Sequence, residues 1–182
     1  HNVEGGFWVE HNDFNQARRF YANTRAAPND VMSFQRGAFA TQWEVKYGID
    51  TLVFHLQDTW KINDDLTLLA GFKSMKVTNK ANTIINGWAA PVAGSDGDLK
   101  GSITSEDNFL PQIGLTYQLT DNIQGFASYT ENMRAFDLSP FSNRSVISFN
   151  AIKTSTSPES SQTLEGGLRF RGGNFQGVVA AY

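Results

Sequence analysis

The sequence contains no cysteine and only three histidines, and these shortages exclude several kinds of site. Without cysteine the chain has no disulfide bridges, no thiolate metal ligands and no cysteine nucleophile. His1, His11 and His55 do not stand beside a serine or an aspartate in a recognisable nucleophile elbow. We therefore predict no catalytic residues and do not expect an enzyme.

Positive charge is neither in excess nor clustered. The net charge is −3, and Lys and Arg are scattered without a basic stripe that could follow a phosphate backbone, so no nucleic acid partner is expected. The acidic stretch "GSDGDLKG" (94–101) lacks the 12-residue spacing and terminal Glu of an EF-hand loop. The sequence thus predicts neither a metal site nor a cofactor.

Long apolar runs are also missing. No segment approaches the roughly 18 consecutive apolar residues of a membrane helix. This excludes a helical membrane protein. It does not exclude a transmembrane β-barrel, because barrel strands give a much weaker hydropathy signal per segment.

What the chain does have is aromatic residues, 13% of the total with 14 Phe, arranged with a period of two. The stretch "FLPQIGLTYQLTDNIQGFASYTENMRAF" (109–136) contains two alternating runs around a polar loop, Thr120–Asn122. Such alternation favours a half-buried antiparallel hairpin with one apolar and one polar face, on which Phe126 is an exception. The predicted register pairs Leu119 with Ile123, Tyr117 with Gly125, Leu115 with Ala127 and Ile113 with Tyr129.

Two further hairpins follow the same pattern. Residues 51–62 and 66–77 are predicted to pair around Asn63–Asp65, with Ile62 opposite Leu66. Near the end of the chain, Gly173 and Asn174 fit a two-residue turn of type II′, which requires Gly first. That turn places Phe170 opposite Gly177 and Leu168 opposite Val179.

Long polar stretches alternate with these short turns. We interpret residues 78–106 and 134–158 as long loops and residues 12–50 as another excursion with a strand near 37–47. The fold class that we predict is all-β, an antiparallel up-and-down meander of about seven strands. Strands of about ten residues or more, with short turns at one end and long loops at the other, are typical of an outer-membrane barrel.

Three stretches resemble the β-barrel of TonB-dependent outer-membrane receptors of Gram-negative bacteria. The first, "FHLQDTWKINDDLTLLAGFK" (54–73), resembles that family's strand–turn–strand around Gln-Asp-x-Trp. The second, "LPQIGLTYQLTDNIQGFASYTENM" (110–133), resembles its Pro-x-x-Gly-x-x-Tyr hairpin. The third, "PESSQTLEGGLRFRGGNFQGVVAAY" (158–182), resembles its Pro-Glu … Glu-x-Gly segment. Lys73 departs from the pattern where an Arg is common, and Arg134-Ala135-Phe136 departs from the usual ending.

The resemblance implies a partial barrel, because such receptors have 22 strands and a plug domain that is not recognisable here. We therefore expect residues 1–182 to be a fragment of the barrel domain. The implied function is active import, with energy from the TonB complex contacted through the missing N-terminal plug region. The implied ligand is scarce and bulky, such as a ferric siderophore, haem, cobalamin or an oligosaccharide, and the implied location is the outer membrane.

The resemblance also divides the residues by role. Outer-membrane lipid would contact the apolar face, and the candidate lipid-facing residues are Phe54, Leu56, Trp60, Leu115, Tyr117 and Tyr129. The transported ligand would meet loop or lumen residues, for which the candidates are Trp88, Arg134, Phe136, Phe141, Arg144, Phe149 and Arg169. Aromatic residues and Arg are common in recognition surfaces. The alternative, which burial tendencies favour, is that these side chains pack the loops together. Arg169 and Arg171 could attract an anion or pair with neighbouring acids.

A different class of protein fits the same alternation. A small complete β-barrel or sandwich, acting as a porin-like, ligand-binding or structural module, would show an identical strand pattern. In a soluble barrel the apolar face would point inward instead of outward. The alternation does not separate the two; the family-like stretches and the one-sided long loops favour the receptor.

Overall fold

The computed structural model describes residues 1–21, 40–86, 100–136 and 157–182. All regular structure in these ranges is β-strand, as the alternation predicts. The strands are β1 (Asn2–Phe20), β2 (Ala40–Lys61), β3 (Leu66–Asn86), β4 (Lys100–Thr120), β5 (Ile123–Arg134), β6 (Glu159–Gly172) and β7 (Phe175–Ala181).

The seven strands form one antiparallel sheet in chain order, each paired with the next. This confirms the predicted meander of about seven strands. Within the described ranges β1 and β7 are not paired with each other, so the sheet is an open part of a barrel.

The hairpin of β2 and β3 has the predicted register, with Trp60 opposite Leu68 and Lys61 opposite Thr67. Asn63 closes its turn. The Asn63 side-chain oxygen accepts hydrogen bonds from the backbone N–H of Asp65 (2.9 Å) and of Leu66 (2.8 Å). A short polar side chain that bonds the backbone two or three residues further on is the reason that Asn favours turns.

The hairpin of β4 and β5 confirms the predicted pairs from Ile113 to Tyr117 but differs at its tip. A three-residue loop with Leu119 opposite Ile123 is wrong, because Thr120 pairs with Ile123 and the register shifts after Gln118. The Thr120 hydroxyl accepts a hydrogen bond from Asn122 N–H (3.3 Å), which keeps Thr120 in the strand and leaves a two-residue turn.

The turn between β6 and β7 agrees with the prediction. Phe170 lies opposite Gly177 and Leu168 opposite Val179. Gly173 has φ of 55°, in the left-handed region that a hairpin of this kind requires at its first turn residue.

The strands are longer than predicted, and this corrects the interpretation of residues 12–50 and 78–106 as loops. β1 continues to Phe20, β2 begins at Ala40, and β3 and β4 extend to Asn86 and from Lys100. At about 3.3 Å per residue β2 is about 70 Å long, whereas about 9–11 residues cross a bilayer. The polar composition of these extensions resembles that of loops, which is why the sequence misled the prediction.

The sheet has two faces and two halves, which we name by their residues. The Phe54 face carries Val9, Leu52, Phe54, Leu56 and Leu115, and the Gln57 face carries Glu4, Gln57, Gln112, Gln118 and Gln124. The turn half lies beside the short turns and includes 52–61, 66–72 and 109–120, whereas the loop half includes 11–20, 40–50, 76–86 and 100–106. The pairing of β3 with β4 shifts by one residue between Lys73 and Met75. As a result, the odd-numbered residues of β4 lie on the Phe54 face in the turn half, and the even-numbered residues lie on it in the loop half.

Candidate functional site

The Phe54 face of the turn half is exposed and apolar except at Asp58, whose carboxylate lies 2.8 Å from His1. Phe54 is 42% exposed, and its ring lies 5.9 Å from that of Phe72, which lies 5.3 Å from that of Phe109. Exposed apolar patches of more than a few hundred Å² mark interaction or membrane surfaces. The other exposed apolar side chains of this surface are Phe7, Val9, Leu52, Leu56, Trp60, Ile113, Leu115, Tyr117, Leu168 and Val179.

The opposite, Gln57 face of the turn half carries a ladder of side-chain amides. The Gln57 amide donates to a Glu4 carboxylate oxygen (3.1 Å), and the Gln112 amide donates to the Gln57 oxygen (2.9 Å). Gly71 lies between Gln57 and Gln112, opposite both of them. A Cβ atom on Gly71 would lie 2.6 Å from the Gln57 Cβ, so the ladder crosses β3 only because this residue has no side chain.

A second set of contacts on this face surrounds Arg169. Its guanidinium carbon lies 4.5 Å from the centre of the Phe126 ring, and its Nη1 donates to the Gln124 oxygen (3.3 Å). Arg169 belongs to β6 and Phe126 to β5, and the register places both on the Gln57 face. A cation over an aromatic ring is attracted by the ring quadrupole, so Phe126 helps to hold Arg169.

In the loop half the Gln57 face is apolar instead of polar. Val45, Tyr47, Ala81 and Ile103 form a buried cluster, and Phe14 packs against it with its ring 5.2 Å from that of Tyr47. Val45 and Tyr47 are each 1% exposed. Burial of apolar surface is the main favourable term in folding, so this cluster stabilises the loop half.

Two buried polar residues hydrogen-bond to the segment after β5 and hold it against this cluster. Asn79 and Ser105 are 2% and 1% exposed. The Asn79 amide donates to the Phe136 carbonyl oxygen, and Phe136 N–H donates to the Ser105 hydroxyl (3.0 Å). Buried polar groups are normally hydrogen-bonded in this way, and here both bonds hold the same residue.

The Phe54 face of the loop half carries charged pairs instead of apolar side chains. Lys76 lies 2.8 Å from Glu106, Lys80 lies 2.5 Å from Asp50, and the three strands β2 to β4 supply them. The hydrogen bond from Lys76 lowers the pKa of Glu106. Half-exposed pairs of this kind add little stability each.

His11 joins the same charged surface, beyond the apolar stretch of the strands. Its Nδ1 lies 2.5 Å from an Asp50 oxygen and its Nε2 lies 3.5 Å from an Asp13 oxygen. The hydrogen bond with Asp50 and the negative charge of Asp13 raise the pKa of His11. Lys46, 3.0 Å from Asp13, lowers the pKa of that carboxyl by its hydrogen bond.

The structure separates the predicted ligand-binding residues that it describes. Arg134 ends β5 in a 3.5 Å pair with Glu159, and both side chains are 72% exposed. Phe136 packs against the buried cluster of the loop half, and Arg169 lies near the turns at the other end of the sheet. Trp88, Phe141, Arg144 and Phe149 lie outside the described residues.

The predicted lipid-facing residues share one face. Phe54, Leu56 and Trp60 alternate on β2, and the register continues through Leu68 to Leu115. The exposed fraction of Phe54, Leu56, Trp60, Leu115 and Tyr117 is 40–44%, whereas Tyr129 is half-buried and its hydroxyl donates to Glu131. Sequence reasoning missed Phe126, Asn79 and Ser105; Phe126 was visible only as the large apolar residue on an otherwise polar face.

Other kinds of site were also sought in the described ranges. These ranges contain no group of three or more His, Asp or Glu side chains placed to hold a metal ion. They contain no helix long and apolar enough to cross a membrane.

The chain is similar to several receptors. It is 25% identical to the ferric aerobactin receptor of Klebsiella pneumoniae over 198 aligned positions, which cover 99% of this chain and 27% of that receptor. The siderophore receptor PiuA from Acinetobacter baumannii has a TM-score of 0.50 at 20% identity, covering 69% of this chain and 17% of PiuA. The ferric-catecholate import receptor Fiu from K12 E. coli has a TM-score of 0.51 at 16% identity, covering 92% and 26%.

These alignments show that the chain spans about a quarter of the length of the curated receptor that it matches. The two solved structures share its fold. The model of the family described as TonB dependent receptor-like, beta-barrel, matches residues 1–182, which is the whole chain. The chain therefore belongs to the TonB-dependent receptor β-barrel family.

Proposed function

We propose that residues 1–182 form part of the barrel domain of an outer-membrane receptor, with the Phe54 face of the turn half against lipid. The observation that carries this proposal is the exposed apolar surface of the turn half. On β2 it comprises Leu52, Phe54, Leu56 and Trp60, is interrupted by Asp58, and continues at Ile62 beyond the strand. This length suits the roughly 9–11 residues that cross a bilayer obliquely. The Gln57 face, with its amide ladder, then lines a water-filled lumen.

The same assignment orients the sheet. The short turns at 63–65, 121–122 and 173–174 lie on the periplasmic side, and the long connections lie outside the cell. The charged Phe54 face of the loop half supports this orientation, because ion pairs such as Lys76 with Glu106 suit water above the lipid.

The proposed activity is the import of a ferric siderophore. The relative that the chain matches over nearly its whole length is a ferric aerobactin receptor, and the family is one of TonB-dependent receptors. The energy comes from the TonB complex, which contacts a part of the receptor beyond these residues. The chain performs no chemistry on the ligand and acts as a receptor and transporter, not as an enzyme.

We propose the candidate ligand contacts for the full-length receptor. Arg134 and Phe136 lie at the loop end of β5, where an extracellular ligand arrives first. The further candidates at 88, 141, 144 and 149 lie outside the described residues, in the parts of the sequence between β3 and β4 and between β5 and β6. Arg169 lies at the opposite end and belongs to a later point on the path.

Transport assays on the full-length receptor test this function. We would express it in a Gram-negative host that lacks its own ferric aerobactin receptor and measure cell-associated ⁵⁵Fe from ferric aerobactin. Uptake that requires both the receptor and TonB is expected. Uptake of ⁵⁷Co-cobalamin or of haem in place of the ferric complex would contradict the siderophore assignment, and equal uptake without TonB would contradict the energy source.

Protease access to whole cells tests the orientation. A protease recognition sequence inserted in the connection at 87–99 should be cleaved from outside, and the same insertion at 63–65 should be protected. Cleavage at 63–65 with protection at 87–99 would show that the sheet has the opposite orientation.

A further inference from the structure

A polar hollow lies on the Gln57 face at the turn ends of β4 to β7. Its volume is about 580 Å³, within the range of about 300–1,000 Å³ that is usual for small-molecule sites. Its polar lining residues are Gln118, Asp121, Asn122, Gln124, Arg169, Arg171 and Gln176. The hollow is separate from the candidate contacts at the loop end, since β5 and β6 run between the two places.

Hydrogen bonds along one edge of the hollow all point in one direction. Arg169 donates to the Gln124 oxygen (3.3 Å), Gln124 donates to the Gln118 oxygen (3.4 Å), and Gln118 donates to the Thr120 carbonyl (2.7 Å). The side-chain oxygens of Gln124 and Gln118 thus each already accept a hydrogen bond. The remaining guanidinium N–H groups of Arg169, which lines the hollow, make no hydrogen bond within the described residues.

The Arg169 guanidinium also packs against an aromatic ring. The Phe126 ring lies 4.5 Å from its guanidinium carbon, and Phe126 in turn lies over Gly167. A Cβ atom on Gly167 would be 2.9 Å from the Phe126 ring and 2.2 Å from the Val179 carbonyl oxygen. A donor that is fixed before a ligand arrives loses less conformational entropy on binding.

The lining of the hollow has an excess of positive charge, with two arginines and the single carboxylate of Asp121. Among the ion pairs of the described residues, neither Arg169 nor Arg171 takes part, although Asp121 lines the same hollow. The Arg171 side chain makes no hydrogen bond within those residues, and only its backbone N–H is used, donating to the Asn122 carbonyl (2.9 Å). By contrast Lys46, Lys76 and Lys80 each pair with a carboxylate.

We propose that this hollow is a binding site for a carboxylate-bearing anion, held by Arg169 and Arg171. The two residues lie on the same face of β6, about 7 Å apart along the strand, so one dicarboxylate can contact both guanidinium groups. Arginine presents paired N–H groups that match the two oxygens of a carboxylate. The site rests on the proposed function in one respect, namely that the Gln57 face lines a lumen that solutes enter.

Binding of glutarate to the purified full-length receptor tests the site, with glutaramide as the uncharged ligand of the same shape. We compare the unaltered receptor with Arg169→Gln/Arg171→Gln and with the control Arg18→Gln, which removes an arginine of β1 from the same face at the other end of the sheet. Glutarate, and not glutaramide, should bind the unaltered receptor and the control. Loss of the charge-assisted hydrogen bonds should weaken glutarate binding about tenfold or more in the double variant.

The same proteins distinguish a free anion from a carboxylate of the receptor's own chain. If a carboxylate of the receptor's own chain occupies the site, glutarate does not bind and the double variant melts below the Arg18→Gln control, with added salt removing the difference. That result supports the site and assigns its anion to the receptor itself. If glutarate does not bind and the double variant melts like the control, the proposal is overturned.

Two checks keep the outcome clear. Arg171→Gln alone leaves the Arg169 contacts intact and should still weaken glutarate binding, so a double variant that does not fold leaves the test in place. Ferric aerobactin uptake is measured in parallel. Uptake without glutarate binding or a melting difference overturns this site alone, and glutarate binding without uptake contradicts only the proposed transport activity.

Discussion

The two halves of the sheet have the same strands and opposite polarity. On β2, Phe54 is 42% exposed in the turn half, whereas Tyr47, seven positions earlier and on the other face, is 1% exposed in the loop half. The Phe54 face changes from apolar to charged where Leu52 gives way to Asp50, and the Gln57 face changes in the reverse sense. Alternation alone thus tells which residues share a face, and the surroundings of each half decide which face is apolar.

Both arrangements follow from one physical rule. Apolar side chains leave water wherever another apolar medium is offered. In the loop half that medium is the protein interior beside Val45 and Ile103, and in the turn half it is proposed to be lipid. Four predictions test this contrast, in order of decreasing effect.

The largest effect is expected in the buried cluster of the loop half. Tyr47→Ala removes a buried ring that stacks on Phe14 and should lower the free energy of unfolding of the full receptor by about 3–5 kcal/mol. Tyr117→Ala, on the exposed Phe54 face of the turn half, should cost about 1 kcal/mol. Urea unfolding in lipid vesicles measures both, and equal losses would show that the loop half has no separate core.

The second effect concerns a charge on the Phe54 face. Leu115→Arg should destabilise the receptor in vesicles by about 2–4 kcal/mol, the cost of Arg near the middle of a bilayer. Thr104→Arg places the same charge on the same face of β4 but in the loop half, where water and ion pairs surround it. Thr104→Arg should therefore change the stability little. Similar losses at both positions would mean that the two halves share one environment.

The third effect concerns the amide ladder of the turn half. Gly71→Ala places a Cβ atom 2.6 Å from both the Gln57 Cβ and the Leu56 carbonyl oxygen, and overpacking of this kind costs about 1–3 kcal/mol. Gly114→Ala is the matched control on the same face, since its nearest neighbour would be Leu69 Cβ at an ordinary 3.8 Å. Urea midpoints in vesicles should fall for Gly71→Ala and stay constant for Gly114→Ala. A fall in both would point to strand propensity instead of crowding.

The smallest effect is a pH dependence of the charged surface. Because the pKa of His11 is raised above its ordinary 6.5, its stabilising interaction is fully present below pH 6.5 and is lost as pH rises through the raised pKa. NMR titration of labelled histidine, assigned by His11→Gln, should give a value above 6.5, and Asp50→Asn should bring it closer to 6.5. A value at or below 6.5 in the unaltered receptor would exclude the contacts with Asp50 and Asp13.

The sequence predicted the turn half well and the loop half poorly, and the contrast explains why. In β2 and β3 of the turn half, large apolar residues such as Phe54 alternate with polar ones, so both the strands and their register were predicted correctly. In the loop half, Lys76, Thr78 and Lys80 alternate with Val77 and small or polar inward residues. That composition is also the composition of a loop, and only tertiary packing reveals the strand.

In the candidate sites, too, some features could be predicted from the sequence and others could not. The position of Arg169 on the polar face follows from alternation, but its contact with Phe126 depends on a neighbouring strand and on the absence of a side chain at Gly167. The hydrogen bonds of Asn79 and Ser105 with the Phe136 backbone join three separate parts of the chain. Contacts of that kind depend on the register of several strands at once, which no single segment contains.

A scan along β2 is the most direct test of the membrane boundary. The chain has no cysteine, so single cysteines at even-numbered positions from 44 to 62 of the full-length receptor would each be unique within these residues and could carry a spin label. In vesicles, labels from 52 to 60 should be accessible to oxygen and shielded from a polar nickel reagent, and labels from 44 to 50 should show the reverse. Uniform access to the nickel reagent along all of β2 would contradict the assignment of the Phe54 face of the turn half to lipid.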